Sequence, residues 1–229
     1  VLVFVPLMAQ GWSALVRARH DWGSAVVVGL TGVAAAVAVT LREDYGAAAV
    51  VMAFSVLLAF VGQMLRKDGR PDLVEDLSAT VTGNLVVVSG AAWCALGTSG
   101  AHPAVTVPCA LALVTGALLT VLEVRAGVLE TLTMTLPALV AGLVGGLLAA
   151  GGFFGPGHTG LTEALQSAAA CLLVGFMAGV MMAVANRVLW AYRWVPGGRA
   201  AVASALVPVL AAGAPVYTVA RLMGRFVAG

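Results

Sequence analysis

Charge is what this chain has least of. Only 10% of its residues are Asp, Glu, Lys or Arg, against about 25% in a soluble domain. A fold that faces water all round is therefore excluded. Acids are scarcest in the second half, where no Asp follows Asp76. Cysteine occurs three times, at Cys94, Cys109 and Cys171, always in apolar surroundings and never as CxxC. That excludes a disulfide framework, a zinc ribbon and a dithiol redox centre. The three histidines, His20, His102 and His158, fall between apolar stretches without a third ligand nearby. No metal or cofactor is expected from them. The P-loop, the dinucleotide fingerprint, the zinc helix motif and any nucleophile–base constellation are absent. A net charge of +2 gives no sign of a nucleic-acid partner.

What is present is apolar length. Hydrophobic residues make up 61% of the chain and the mean hydropathy is +1.03. No single core can hide that much apolar surface, so its solvent is the lipid bilayer. A membrane helix needs about 20 mostly apolar residues. Eight stretches qualify or come close: Val1–Val16, Ser24–Leu41, Gly46–Leu65, Leu77–Gly97, Pro103–Val124, Leu129–Ala150, Leu161–Ala185 and Ala200–Leu222. The first has no basic run before it, so it reads as a short membrane helix rather than a signal peptide. The expected fold is all-α and polytopic, a single transmembrane domain over residues 1–229. Leu77–Trp93 can be laid against Ala203–Val219, which suggests two four-helix repeats, 1–100 and 101–229.

Lys and Arg in the connections set orientation. Arg17, Arg19, Arg66, Lys67, Arg70, Arg125, Arg187, Arg193 and Arg199 fall on one side, and Arg42, Arg221 and Arg225 on the other. Nine against three puts both termini outside a multi-pass protein of the plasma membrane.

The densest charge is RKDGRPDLVED, Arg66 to Asp76. Its cations close one helix and its carboxylates open the next, as helix dipoles favour. Asp72 and Asp76 are four apart, so on a helix they would share a face at the headgroup plane. The surrounding stretch MLRKDGRPDLVEDLSATVTGNLVVV, Met64 to Val88, resembles the middle of actinobacterial phosphatidate cytidylyltransferases. There too, an apolar helix ends in basic residues before an Asp-led Ser/Ala-Thr helix. The resemblance implies a membrane protein at the lipid headgroup plane, either a lipid-modifying enzyme or a catalytically silent relative. That family carries its chemistry in a C-terminal signature with Gly-His-Gly-Gly and Asp-Arg, which residues 103–229 lack. No catalytic residue is carried over.

Polar residues inside apolar helices are the remaining candidates. Asn84 stands mid-helix with Thr80 one turn before it, where it serves as packing glue or lines a ligand path. Pro108, Pro137, Pro208 and Pro215 each remove a backbone hydrogen bond and can kink a helix around such a path. Glu123 and Glu130 flank Arg125 and are expected to pair with it. Arg187, Arg193 and Arg199, set among Trp190, Tyr192 and Trp194, suit anionic lipid headgroups. Gly142 and Gly146, and Gly175 and Gly179, form two GxxxG motifs on consecutive helices. They are expected to pack on each other, or else to meet a second copy or a membrane-complex partner. The leading functional expectation is a non-enzymatic, permease-like or subunit-type membrane protein handling a small or lipidic ligand. The enzyme and the structural partner are the alternatives.

Overall fold

The computed structural model describes residues 1–16, 21–65, 72–96, 105–122, 125–154, 160–191 and 197–227. These are helical throughout, and no strand occurs among them. The helices are α1 (Phe4–Leu15), α2 (Asp21–Arg42), α3 (Gly46–Met64), α4 (Leu73–Ala95), α5 (Thr106–Leu119), α6 (Ala126–Ala150), α7 (Leu161–Ala191), α8 (Gly197–Ala211) and α9 (Gly213–Val227).

Six spans are long and apolar enough to cross a membrane: Trp22–Arg42, Gly46–Met64, Leu73–Ala95, Ala126–Ala150, Leu161–Val188 and Gly197–Leu222. The last runs through α8 and α9. Helices α1 and α5 have 12 and 14 residues. At 1.5 Å per residue each is roughly 20 Å long, short of a hydrocarbon core of about 30 Å. The eighth expected helix, Ala200–Leu222, is interrupted at Ala212.

The chain divides into two compact units. Unit 1 holds Val1–Thr98 with Tyr192–Ala214, and unit 2 holds Ser99–Ala191 with Pro215–Gly229. Helix α8 thus belongs to the first unit although it follows the second in the chain.

In unit 1, α4 is the central helix. It packs against α1, α2, α3 and α8. Small residues make this crowding feasible: Gly83, Gly90, Ala91, Ala92 and Ala95 are all buried. A Cβ on Gly83 would come 2.6 Å from the Trp12 indole nitrogen, and one on Gly90 2.5 Å from Leu210 Cδ2. The Trp12 indole N–H donates to the Ala79 carbonyl at 2.9 Å, tying α1 to α4. Helix α3 is the opposite case. Only Ala48, Ser55, Ala59 and Gln63 are buried on it, while Phe54, Leu57, Leu58, Phe60 and Val61 are exposed. This is the pattern of a helix that shows most of its circumference to lipid.

In unit 2, α6 and α7 pack along their length and α5 lies against both. The seam is lined with glycine. A Cβ on Gly142 would stand 3.1 Å from Leu172 Cβ, and one on Gly146 3.2 Å from Ala168 Cβ. On α7, a Cβ on Gly175 would stand 2.6 Å from the Pro137 carbonyl oxygen, and one on Gly179 would overlap the Thr133 carbonyl oxygen. That last contact has a local cause. Pro137 has no N–H to give the carbonyl four residues back, and that carbonyl belongs to Thr133.

A polar stripe on α4 and two recesses beside it

Asp76, Thr80 and Asn84 are spaced by four and are all buried, with Asn84 at 0% exposure. Spacing by four keeps them on one face of α4. The Thr80 hydroxyl donates to the Asp76 carbonyl at 2.8 Å and is hydrogen-bonded to the Ser24 hydroxyl of α2 at 3.0 Å. The Asn84 amide reaches the Ser55 carbonyl of α3 at 3.5 Å, the outer limit of a hydrogen bond. Its carboxamide oxygen has no hydrogen-bond partner among the described residues. An orphaned buried acceptor costs about 1–3 kcal/mol, so this residue is not stability-optimised. Beside the stripe lies a cavity of about 380 Å³, lined by Ser24, Gln63 and Thr80 together with Trp22, Ala59 and Gly62. A Cβ on Gly62 would meet nothing within 4 Å.

A second recess of about 620 Å³ runs between α1 and α2. Its walls are mainly small and apolar, and Arg199 from the first turn of α8 stands in its lining. Trp22 and Val26 line both recesses.

The two candidate carboxylates differ in exposure. Helix α4 begins at Leu73, and Asp72 precedes it in a left-handed conformation with φ 57°. Asp72 is exposed while Asp76 is buried, and the Asp76 N–H donates to the Asp72 carbonyl at 3.0 Å. The acids of the first turn, Glu75 and Asp76, still suit the helix dipole.

The prolines separate likewise. Pro108 is the third residue of α5 and Pro215 the third of α9. In a first turn the missing N–H costs no bond within the helix, so neither kinks its own helix as expected. Pro137 and Pro208 do lie inside their helices. Pro208 belongs to unit 1 with Thr80 and Asn84, whereas Pro108, Pro137 and Pro215 belong to unit 2.

Pro215 does have an effect across the α8–α9 break. It cannot donate to the Ala211 carbonyl, and the Ser89 hydroxyl of α4 donates there instead, at 2.8 Å. The same Ser89 oxygen accepts the Ala214 N–H at 3.0 Å. The Trp93 indole N–H donates to the Val209 carbonyl at 2.9 Å. A Cβ on Gly213 would overlap the Ser89 carbonyl oxygen. A broken membrane helix survives where neighbouring side chains satisfy its freed backbone groups, and α4 supplies them here.

Of the headgroup-plane arginines, Arg187 forms an ion pair with Glu130 at 3.2 Å. Glu130 was expected to pair with Arg125; the long α7 carries Arg187 to it instead. Arg193 lies outside the described residues, as do Glu123, residues 66–71 and the three histidines. Among the described residues, no group of three His, Cys, Asp or Glu side chains could hold a metal ion. Gln63 and Ser24 were not singled out from sequence, because nothing in a linear reading places the ends of three helices around one cavity.

The chain was compared with known protein families, with curated proteins and with solved structures, and it matches none of them.

Proposed function

We propose that this is a non-enzymatic, permease-like or subunit-type integral membrane protein that takes a small ligand into the polar recess of unit 1. One observation carries the reading: Asn84 is fully buried in an apolar helix with its carboxamide oxygen unpartnered among the described residues. A polar group held at a cost inside a membrane protein is a functional-site hypothesis by default. Thr80, Ser24 and Gln63 extend that polarity into the adjoining cavity. The enzyme alternative, with its likeness to the cytidylyltransferases, asks for Asp72 and Asp76 together beside a basic residue. Their opposite exposure speaks against it. The structural-partner alternative asks for glycine faces left open to lipid, whereas those of α6 and α7 face each other inside unit 2. We read the two GxxxG motifs accordingly as internal packing.

Counting α1 and α5 with the six long spans keeps an eight-span reading in two halves. The nine-to-three bias of basic residues supports a plasma-membrane protein with both termini outside. The ends of α1 and α3 and the starts of α2, α4 and α8 then share the cytoplasmic side, where the polar recess begins.

The test is thermal unfolding of the purified protein against amino acids, sugars, organic acids and monovalent cations. Ligands that bind the folded state raise Tm by mass action. One class should raise it in the parent and fail to do so in Asn84→Leu and Thr80→Val. A panel that shifts parent and variants alike, or shifts neither, contradicts the reading.

A further inference from the structure

The larger recess points to a different occupant. Its α2 wall runs from Trp22 through Ala25, Val26, Gly29 and Leu30 to Val33. Eleven residue steps at 1.5 Å make roughly 16 Å, about half of a hydrocarbon core of ~30 Å. The groove is therefore one leaflet deep. Its floor is apolar and built from small residues. A Cβ on Gly29 would only reach ordinary contact, 3.5 Å from Ala9 Cβ.

One charged side chain lines the groove among the described residues. Arg199 is exposed, and no acidic residue lines the groove among the described residues. Its guanidinium has no ion-pair or hydrogen-bond partner among the described residues. Its backbone is fixed: Gly11 of α1 lies so close that a Cβ there would overlap the Arg199 carbonyl oxygen. Ser13 and Gln10 add polar atoms to the lining, and Trp22, 81% exposed, borders the groove. An exposed indole and an exposed guanidinium in the lining of an apolar groove are the side chains suited to the headgroup level of a bilayer.

We infer that this groove is a binding site for one phospholipid with an anionic headgroup. An acyl chain lies along Ala25, Gly29 and Val33, and the phosphate pairs with Arg199. The volume of about 620 Å³ falls within the 300–1,000 Å³ of ordinary ligand pockets. The groove shares Trp22 and Val26 with the recess at Thr80 but neither Arg199 nor Gly29, and its experiment reads lipid retention, so either proposal can fail alone.

The experiment is native mass spectrometry of the detergent-purified full chain titrated with phosphatidylglycerol or phosphatidylcholine. One retained lipid per chain is expected, with about fivefold preference for phosphatidylglycerol, the effect of one basic residue at a membrane surface. Arg199→Gln should abolish the preference while a lipid is still retained. Gly29→Leu, which fills the channel, should lose retention of both lipids with helical content unchanged by circular dichroism. Equal retention of the two lipids by the parent overturns the inference. So does an undiminished preference in Arg199→Gln, or full retention in Gly29→Leu.

Discussion

Replacing Ser89 by alanine removes one oxygen that closes two gaps in the same broken helix. In the parent this hydroxyl donates to the Ala211 carbonyl at 2.8 Å and accepts the Ala214 N–H at 3.0 Å. The loss in packing is small, because only one oxygen leaves. The loss in hydrogen bonding is double, and one of the two groups, the Ala211 carbonyl, cannot turn to Pro215, which has no N–H to offer. Side-chain hydrogen bonds between membrane helices average about 0.6 kcal/mol, with a maximum near 1.7, whereas an orphaned buried group costs about 1–3 kcal/mol. The first range suits a bond whose groups find new partners. The second suits one whose groups cannot, which is the case for the Ala211 carbonyl opposite Pro215. Ser89→Ala should therefore lose about 1–3 kcal/mol. The assay is equilibrium unfolding in mixed micelles by added dodecyl sulfate, followed by circular dichroism. Ser204→Ala is the control, because that exposed hydroxyl bonds only the carbonyl three residues back. Its effect should stay within about 0.5 kcal/mol. If Ser89→Ala unfolds at the same point as this control, Ser89 does not stabilise the break and the account of it is wrong.

Gly179→Ala should destabilise unit 2 by about 1–3 kcal/mol in the same assay, because overpacking cannot relax easily against a backbone oxygen; Gly127→Ala, with nothing within 4 Å of the new Cβ, is its neutral counterpart. Glu130→Gln should change stability by less than about 1 kcal/mol, less still in high salt, because the Arg187 partner is 76% exposed. Asn84→Leu should leave stability unchanged or raise it by about 1–2 kcal/mol, since it removes an orphaned acceptor; a strong loss of stability would mean the carboxamide is structural rather than kept for a ligand.

The membrane-like helical fold was legible because it rests on composition and run length, which a linear reading measures directly. Glycine spacing on α6 and α7 was equally visible, and those residues stand on the seam between the two helices. Asn84 and Thr80 were legible as polar interruptions. Their neighbour Asp76 was assigned to a pair with Asp72 instead, although the spacing 76, 80, 84 was there to be read. That pair depended on where α4 starts. A start at Leu73, with Asp72 in a left-handed conformation, is a matter of one residue that periodicity does not fix. The Ser89 bridge was out of reach, because it joins residues 122 and 125 positions apart. Tertiary proximity of that kind leaves no trace in local pattern. The same holds for Arg199, whose place beside α1 depends on the close approach at Gly11.

The central claim is that a recess lined by Ser24, Gln63 and Thr80 enters unit 1 from one side of the membrane and serves the buried Asn84 one turn beyond Thr80. Its most direct test is labelling of single cysteines at positions 63, 72 and 84 with a membrane-impermeant maleimide, in vesicles of known orientation. Cys94, Cys109 and Cys171 are first replaced by alanine. Position 72 is exposed and reports its side; position 63 lines the cavity. All three positions should label from the cytoplasmic side only, with position 84 the slowest. Failure of position 84 to label from either side, or labelling from the face opposite position 72, would contradict the account.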